Sequence, residues 1–175
     1  MQKVIVFIFG SIFLLVFAAY RVPEKEKVNW LTVAEMQAAY RKNPKPILVD
    51  VYTRWCGWCK VMEKETYSNG KVAGYINEKY YAVKFDAEGQ AAVEWNGVKY
   101  EYDAQNKING LAGFLLYGQF SYPTTVFLSS LDAKPAPLAG YLKPKEIESP
   151  LKFFGEGIYK TKNFPEFMKD FKNGW

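Results

Sequence analysis

Two cysteines stand three residues apart in Cys56-Gly57-Trp58-Cys59, and the 175-residue chain has no others. Three chemistries use such a pair. A zinc site needs four ligands; with no third Cys and no His, the other two would have to be carboxylates. A purely structural bridge would close a very short loop, constrain little of the unfolded chain and make a weak staple. A redox dithiol fits the spacing best. In that reading Cys56 sits exposed at the start of a helix beginning near Gly57, where unpaired N–H groups and the helix dipole favour a thiolate. A free thiol pKa of ~8.5 falls to ~3.5–7.5 in such a place. Cys56 then attacks a disulfide, or is attacked in reverse. Cys59, one turn in and more buried, resolves the mixed disulfide. Trp55 packs beside the pair, and Trp58 stands where a Pro would stiffen the loop.

The elements that must hold this pair are legible on both sides of it. Ile47–Tyr52 is short, apolar and β-branched, which predicts a central strand covered on both faces. A helical stretch after Cys59 carries Val61, Met62 and Glu65. Ser68-Asn69-Gly70 interrupts it before a second helical piece with Val72, Tyr75, Ile76 and Tyr80. Tyr81–Phe85 alternates as a strand. Upstream, Thr32 with Glu35 forms a capping-box signature for a helix over Val33–Lys42, stopped by Asn43-Pro44-Lys45-Pro46. Residues 87–107 form an excursion. Its Asn96-Gly97 predicts a hairpin with Trp95 opposite Val98, Glu94 opposite Lys99 and Val93 opposite Tyr100. The chain then predicts a helical piece from Ile108 to Gly118 and a strand over Thr125–Leu128. A turn at Leu131–Lys134 follows, with a return through Leu138–Tyr141, then helices over Lys143–Tyr159 and Phe164–Phe171. Strands alternating with helices and ending in a hairpin and helix give an α/β fold with a mixed sheet.

The composition is globular: 49% apolar and 18% aromatic. A formal charge of +5, with Lys scattered among acids, reads as a solvated surface, and no basic stripe points to nucleic acid. The absence of His removes the commonest general base and metal ligand. Lys3 precedes an apolar run from Val4 to Tyr20, which reads as a secretory signal, with a retained membrane anchor as the alternative. Residues 1–20 are therefore assigned to a signal or anchor, 21–29 to a charged linker and 30–175 to one domain outside the cytoplasm.

The stretch Ile47-Leu48-Val49-Asp50-Val51-Tyr52-Thr53-Arg54-Trp55-Cys56-Gly57-Trp58-Cys59-Lys60 resembles the active-site strand and helix of the thioredoxin superfamily. With Met62-Glu63 it is most similar to the secreted bacterial thioredoxin-like branch. The resemblance covers about Ile47 to Tyr141. It implies a thioredoxin fold and a protein thiol-disulfide oxidoreductase. It further implies that Asp50 is a buried carboxylate relaying a proton to Cys59, that Lys84 lies near it, and that Pro123 is a cis-proline facing the Cys pair. Tyr122, Pro123 and Thr124 would line the substrate groove, with Tyr122 offering its backbone to a bound peptide. A turn-making Asp50 and an exposed strand Lys84 are the plainer alternatives. The expected partners are protein disulfides and a membrane-bound electron donor. Reductase is the preferred direction; an oxidase or isomerase, and a binding or chaperone module, are the rivals. No motif calls for a metal or organic cofactor. The chain departs from the family in lacking Pro within the CxxC and in two additions. One is the 87–107 excursion, whose Trp95, Tyr100 and Tyr102 either cover a core edge or offer a partner surface. The other is a long C-terminal region packed through Phe153, Phe154, Tyr159, Phe164 and Phe167.

Overall fold

The computed structural model describes residues 27–175, so the signal or anchor expected over 1–20 lies outside the described residues. No helix among the described residues is long and apolar enough to cross a membrane. Five strands form the central sheet in the order β1-β3-β2-β8-β9. They are β1 (Trp30–Leu31), β2 (Ile47–Tyr52), β3 (Tyr81–Asp86), β8 (Thr124–Leu128) and β9 (Ala136–Ala139). The first three run parallel, while β8 and β9 run antiparallel to their neighbours. Helices α1 (Val33–Lys42), α2 (Gly57–Met62), α3 (Gly70–Lys79), α4 (Gly110–Leu116), α5 (Pro144–Gly155) and α6 (Phe164–Asp170) flank it. This is the α/β thioredoxin architecture that the sequence implied.

Strand β2 explains why the sheet is central. Its side chains alternate between two cores. Ile47, Val49 and Val51 pack with Val83, Val126 and Leu115 on one face. Leu48 packs with Met62, Ile76, Phe127 and Ile147 on the other. Asp50 follows that same alternation and faces the α2–α3 side. Val28, placed in a linker by its charged neighbours, is 7% exposed and belongs to the second core. Asn29 and Lys27 are tied to the Asn77 side chain. The folded region therefore reaches further towards the N-terminus than residue 30.

Helix α1 begins at Thr32 with both bonds of the capping box made. The excursion carries the expected hairpin, β4 (Val93–Trp95) and β5 (Val98–Tyr100), in the expected register. Asn96 and Gly97 both have positive φ, as a two-residue turn of this kind requires. The cross-strand ion pair is not made; Lys99 reaches Glu101 at 2.7 Å instead. Trp95 is 2% exposed and donates its indole N–H to Leu131 O, so it closes the core edge. Tyr100 packs on Phe114. A second small hairpin, β6 (Tyr102–Asp103) with β7 (Ile108–Asn109), occupies residues expected to be irregular or helical. Its turn is built by Asp103, whose carboxylate accepts from Gln105 N, Asn106 N and Asn106 Nδ2. Asn109 then caps α4, which is why that helix starts two residues late. Helix α5 ends at Gly155 and not at Tyr159, because Gly157 turns left-handed (φ 70°) before a single 3₁₀ turn over Ile158–Lys160. Phe153 gathers Phe154, Phe164 and Phe167 and pins α6 to α5.

Candidate active site

The chain leaves β2 at Tyr52 and turns into α2 through Thr53-Arg54-Trp55-Cys56. Cys56 is the N-cap of α2. It is joined to Cys59 by a disulfide, with Cα atoms 5.3 Å apart. The Cys59 backbone N–H donates to Cys56 Sγ at 3.0 Å, so the first helical turn directs a donor at the first sulfur. The expectation that Cys56 stands exposed is corrected in this oxidised state: Cys56 is 4% and Cys59 7% exposed. Cys56 Sγ lies at the helix start, bonded to the second sulfur and facing that N–H. What projects instead are Trp55 and Trp58, 68% and 62% exposed. Gly57 faces open space, and no neighbour lies within 4 Å of a Cβ built there.

Beneath the pair lies a charged cluster. The β2–β3 register sets Asp50 beside Lys84, and the β2–β8 register sets it beside Thr125. Asp50 is 3% exposed, and its Oδ1 has no hydrogen-bond partner among the described residues. Burial pushes its pKa from 3.8 up to about 7, with Lys84 pulling it down and Glu63 pushing it further up. The Lys84 ammonium makes its ion pair with Glu63, not with Asp50. It also lies 5.3 Å from the centre of the Tyr52 ring. Tyr67 is buried alongside, its hydroxyl 2.9 Å from Thr125 Oγ1. Burial first, and the Asp50 charge second, hold its pKa well above the ordinary value.

Glu63 is the residue that the sequence reading passed over as a site residue. It begins a π-helical turn, Glu63–Tyr67, that follows α2 directly. The available signal was its place four residues after Cys59, which is one helical turn along the same face. A cavity of about 210 Å³ joins Cys59 to Glu63 and Lys84, and Tyr52, Thr53, Arg54 and Lys60 complete its lining. Replacing Glu63 with Gln removes a negative charge that disfavours Asp50 ionisation and leaves Lys84 without its carboxylate partner. The Asp50 pKa is therefore expected to fall in Glu63→Gln, as read by carboxyl-carbon NMR titration. An unchanged or raised value would remove Glu63 from the site.

The third side of the site is the segment before β8. The Tyr122–Pro123 peptide bond is cis. Val51 lies opposite Thr124 in the register, so Pro123 stands next to the end of β2 from which the Cys56 loop emerges. Tyr122 meets Trp55 edge-on at 6.1 Å, and Trp55 donates its indole N–H to Glu88. Thr124 is buried, and its hydroxyl donates to Ser121 O at 2.7 Å, so its side chain shapes the turn and does not line an open groove. On the other flank Trp58 stacks on Tyr141 at 5.6 Å. The arrangement can exchange a dithiol for a disulfide and can accept or release a proton near neutral pH at a buried carboxyl. No group of three or more potential metal ligands occurs among the described residues.

A stretch of 61 residues is 39% identical to the uncharacterized protein B0495.5 of Caenorhabditis elegans, covering 33% of this chain and 8% of that protein. A stretch of 45 residues is 36% identical to the thiol:disulfide interchange protein DsbD of Pectobacterium atrosepticum, covering 26% of this chain and 8% of DsbD. The matches thus span under a tenth of these relatives' lengths. Among solved structures, a DsbH oxidoreductase superposes with a TM-score of 0.53 at 17% identity, over 74% of this chain and 85% of that one, a likeness of fold. Residues 18–156 match the family model Thioredox_DsbH, described as a protein of unknown function, DUF255. With that match extending over most of its length, a thioredoxin-like fold and a bonded Cys-X-X-Cys pair, the chain belongs to the Thioredox_DsbH family.

Proposed function

We propose that this chain is an extracytoplasmic thiol-disulfide oxidoreductase of the secreted bacterial thioredoxin-like branch, and that it reduces protein disulfides. The observation that carries the reading is the Cys56–Cys59 bridge at a helix start above a buried carboxyl that titrates near neutrality. In the reductive direction the Cys56 thiolate attacks a client disulfide and expels one client sulfur as a thiolate. Cys59, its proton passed to Asp50, then attacks Cys56 Sγ and expels the second client sulfur. The client gains two electrons and two protons, and the Cys56–Cys59 disulfide is left behind. Lys84 and Glu63 tune Asp50. Trp55, Gly57 and Trp58 form the rim of the site. Tyr122 and Pro123 meet the client backbone, with Thr124 supporting them from below.

The short match to DsbD supports a role in thiol-disulfide exchange, and the apolar run from Val4 to Tyr20 supports placing it outside the cytoplasm. In this reading residues 1–20 are the export signal or anchor, the residues between them and Lys27 tether the domain, and a membrane-bound donor returns the dithiol state. The test is the reduction potential of the pair, equilibrated against defined thiol buffers. A value near the ~−270 mV of thioredoxin is the expected result. A value near ~−120 mV would make the chain a disulfide donor and overturn the reductase assignment.

A further inference from the structure

We propose that the cavity behind Tyr141 is a docking site for an acidic segment of the client polypeptide, lying next to the disulfide. The proposal rests on the redox reading above and specifies its substrate. Trp58 lies inside the Cys-X-X-Cys loop and stacks on Tyr141 with the two rings inclined by only 23°. Tyr141 in turn lines a cavity of about 850 Å³. Trp175 also lines the cavity and is tethered to the fold. The backbone N–H groups of Gly174 and Trp175 donate to the buried Glu148 carboxylate, and the Trp175 ring meets Tyr75 edge-on at 5.5 Å. Tyr141 is therefore shared between the reactive loop, through Trp58, and a cavity that also has Trp175 in its lining.

Its lining is net positive, with Lys71, Lys143 and Lys145 set against Glu65 and Glu146. None of the three takes part in an ion pair among the described residues. The two carboxylates on the same lining are each held within the fold. Glu65 accepts from the Tyr141 hydroxyl, and Glu146 accepts from the Lys143 backbone N–H. The opposite flank of the disulfide has no such excess, because Arg54 is paired with Asp86 and Glu88 lies beside it at the Trp55 indole. The lysine stems and the two rings offer apolar walls, while the ammonium groups remain at the solvent edge. That combination suits an extended chain with carboxylates on one side of its cysteine. It also raises the local concentration of such a client, and long-range attraction to charges of this kind changes association rates by about tenfold or more at low salt.

The experiment uses the full chain, reduced and freed of reductant, and follows tryptophan fluorescence on mixing. The probes are two disulfide-bonded peptides, identical except for Asp or Lys residues flanking the cysteines, and one small uncharged disulfide. The acidic peptide is expected to react about tenfold faster than the basic one at low salt. That ratio should collapse towards one in molar salt and in Lys143→Gln/Lys145→Gln, and should invert in Lys143→Glu/Lys145→Glu. Equal rates for the two peptides, or a preference that survives the substitutions, would overturn the docking proposal and leave the redox reading standing. Failure of every probe, the small disulfide included, to oxidise the dithiol would overturn the redox reading itself.

Discussion

Cys56→Ser is expected to lose disulfide exchange by on the order of 10³-fold or more, because a serine hydroxyl supplies neither a thiolate nor a sulfur to bond. Cys59→Ser is expected to fail differently. Its first step survives, since Cys56 still attacks, but nothing expels the client. The variant should therefore accumulate a covalent mixed disulfide that is visible on non-reducing gels and released by added thiol. The contrast follows from the positions of the two sulfurs: Cys56 caps α2 and receives an N–H from its first turn, whereas Cys59 lies within the helix. Unfolding does not explain the expected loss, because the bridge joins residues only three apart and closes a very small loop. Partner capture by Cys56→Ser as strong as that by the parent would instead mean that the fold binds clients without exchanging disulfides.

The second large effect is on stability, and it has the opposite sign to a usual active-site lesion. The Asp50 pKa is raised from 3.8 to about 7 in the folded, oxidised protein, chiefly by burial. Between those values the folded state binds more protons than the unfolded one, so stability falls as pH rises. The stabilisation is fully present below the unfolded pKa and is lost as pH rises through about 7. At 1.36 kcal/mol per pKa unit, the loss comes to about 4 kcal/mol. Asp50→Asn removes that dependence. Measured against the parent by guanidinium unfolding, it should gain on the parent steadily from pH 4.5 to 8. At pH 8 the gain is at most about 4 kcal/mol, less roughly 1–3 kcal/mol for an amide left without partners. Identical pH slopes in the two proteins would show that Asp50 does not titrate in this window. Function should move the other way. The resolving step by Cys59 should slow in Asp50→Asn, most visibly near neutral pH, where the carboxyl is poised to take a proton.

Signals written over a few adjacent residues were the ones that could be read from the sequence. Thr32 with Glu35, and Asn96 with Gly97, specify their caps and turn by local hydrogen bonding and positive φ alone, and both occur where expected. The unbroken apolar run at Ile47–Val51 located the central strand because burial on both faces leaves no polar residues to interrupt it, except Asp50. Two-residue pieces such as β1 and β6–β7 carry no periodicity, and only tertiary pairing defines them. Glu63 escapes notice for a related reason: the Lys84 that it meets lies 21 positions away on β3, a pairing that only the tertiary fold defines. The burial of Cys56 depends on the packing around the start of α2, which a spacing of three residues does not encode.

The two outer strands of the central sheet have a consequence for aggregation and for how chains can be held. On one side β1 offers only Trp30 and Leu31, too short to template a neighbour. On the other, β9 carries Pro137, which has no N–H to donate. Both margins are thus poor seeds for strand addition, a common route by which exposed sheets assemble end to end. For the reductase proposed above, which would meet cysteine-bearing client chains, this guards against copolymerising with them. In the proposed function, backbone pairing with a client would then be left to the Tyr122–Pro123 segment beside the sulfurs, where the contact ends when the chemistry does.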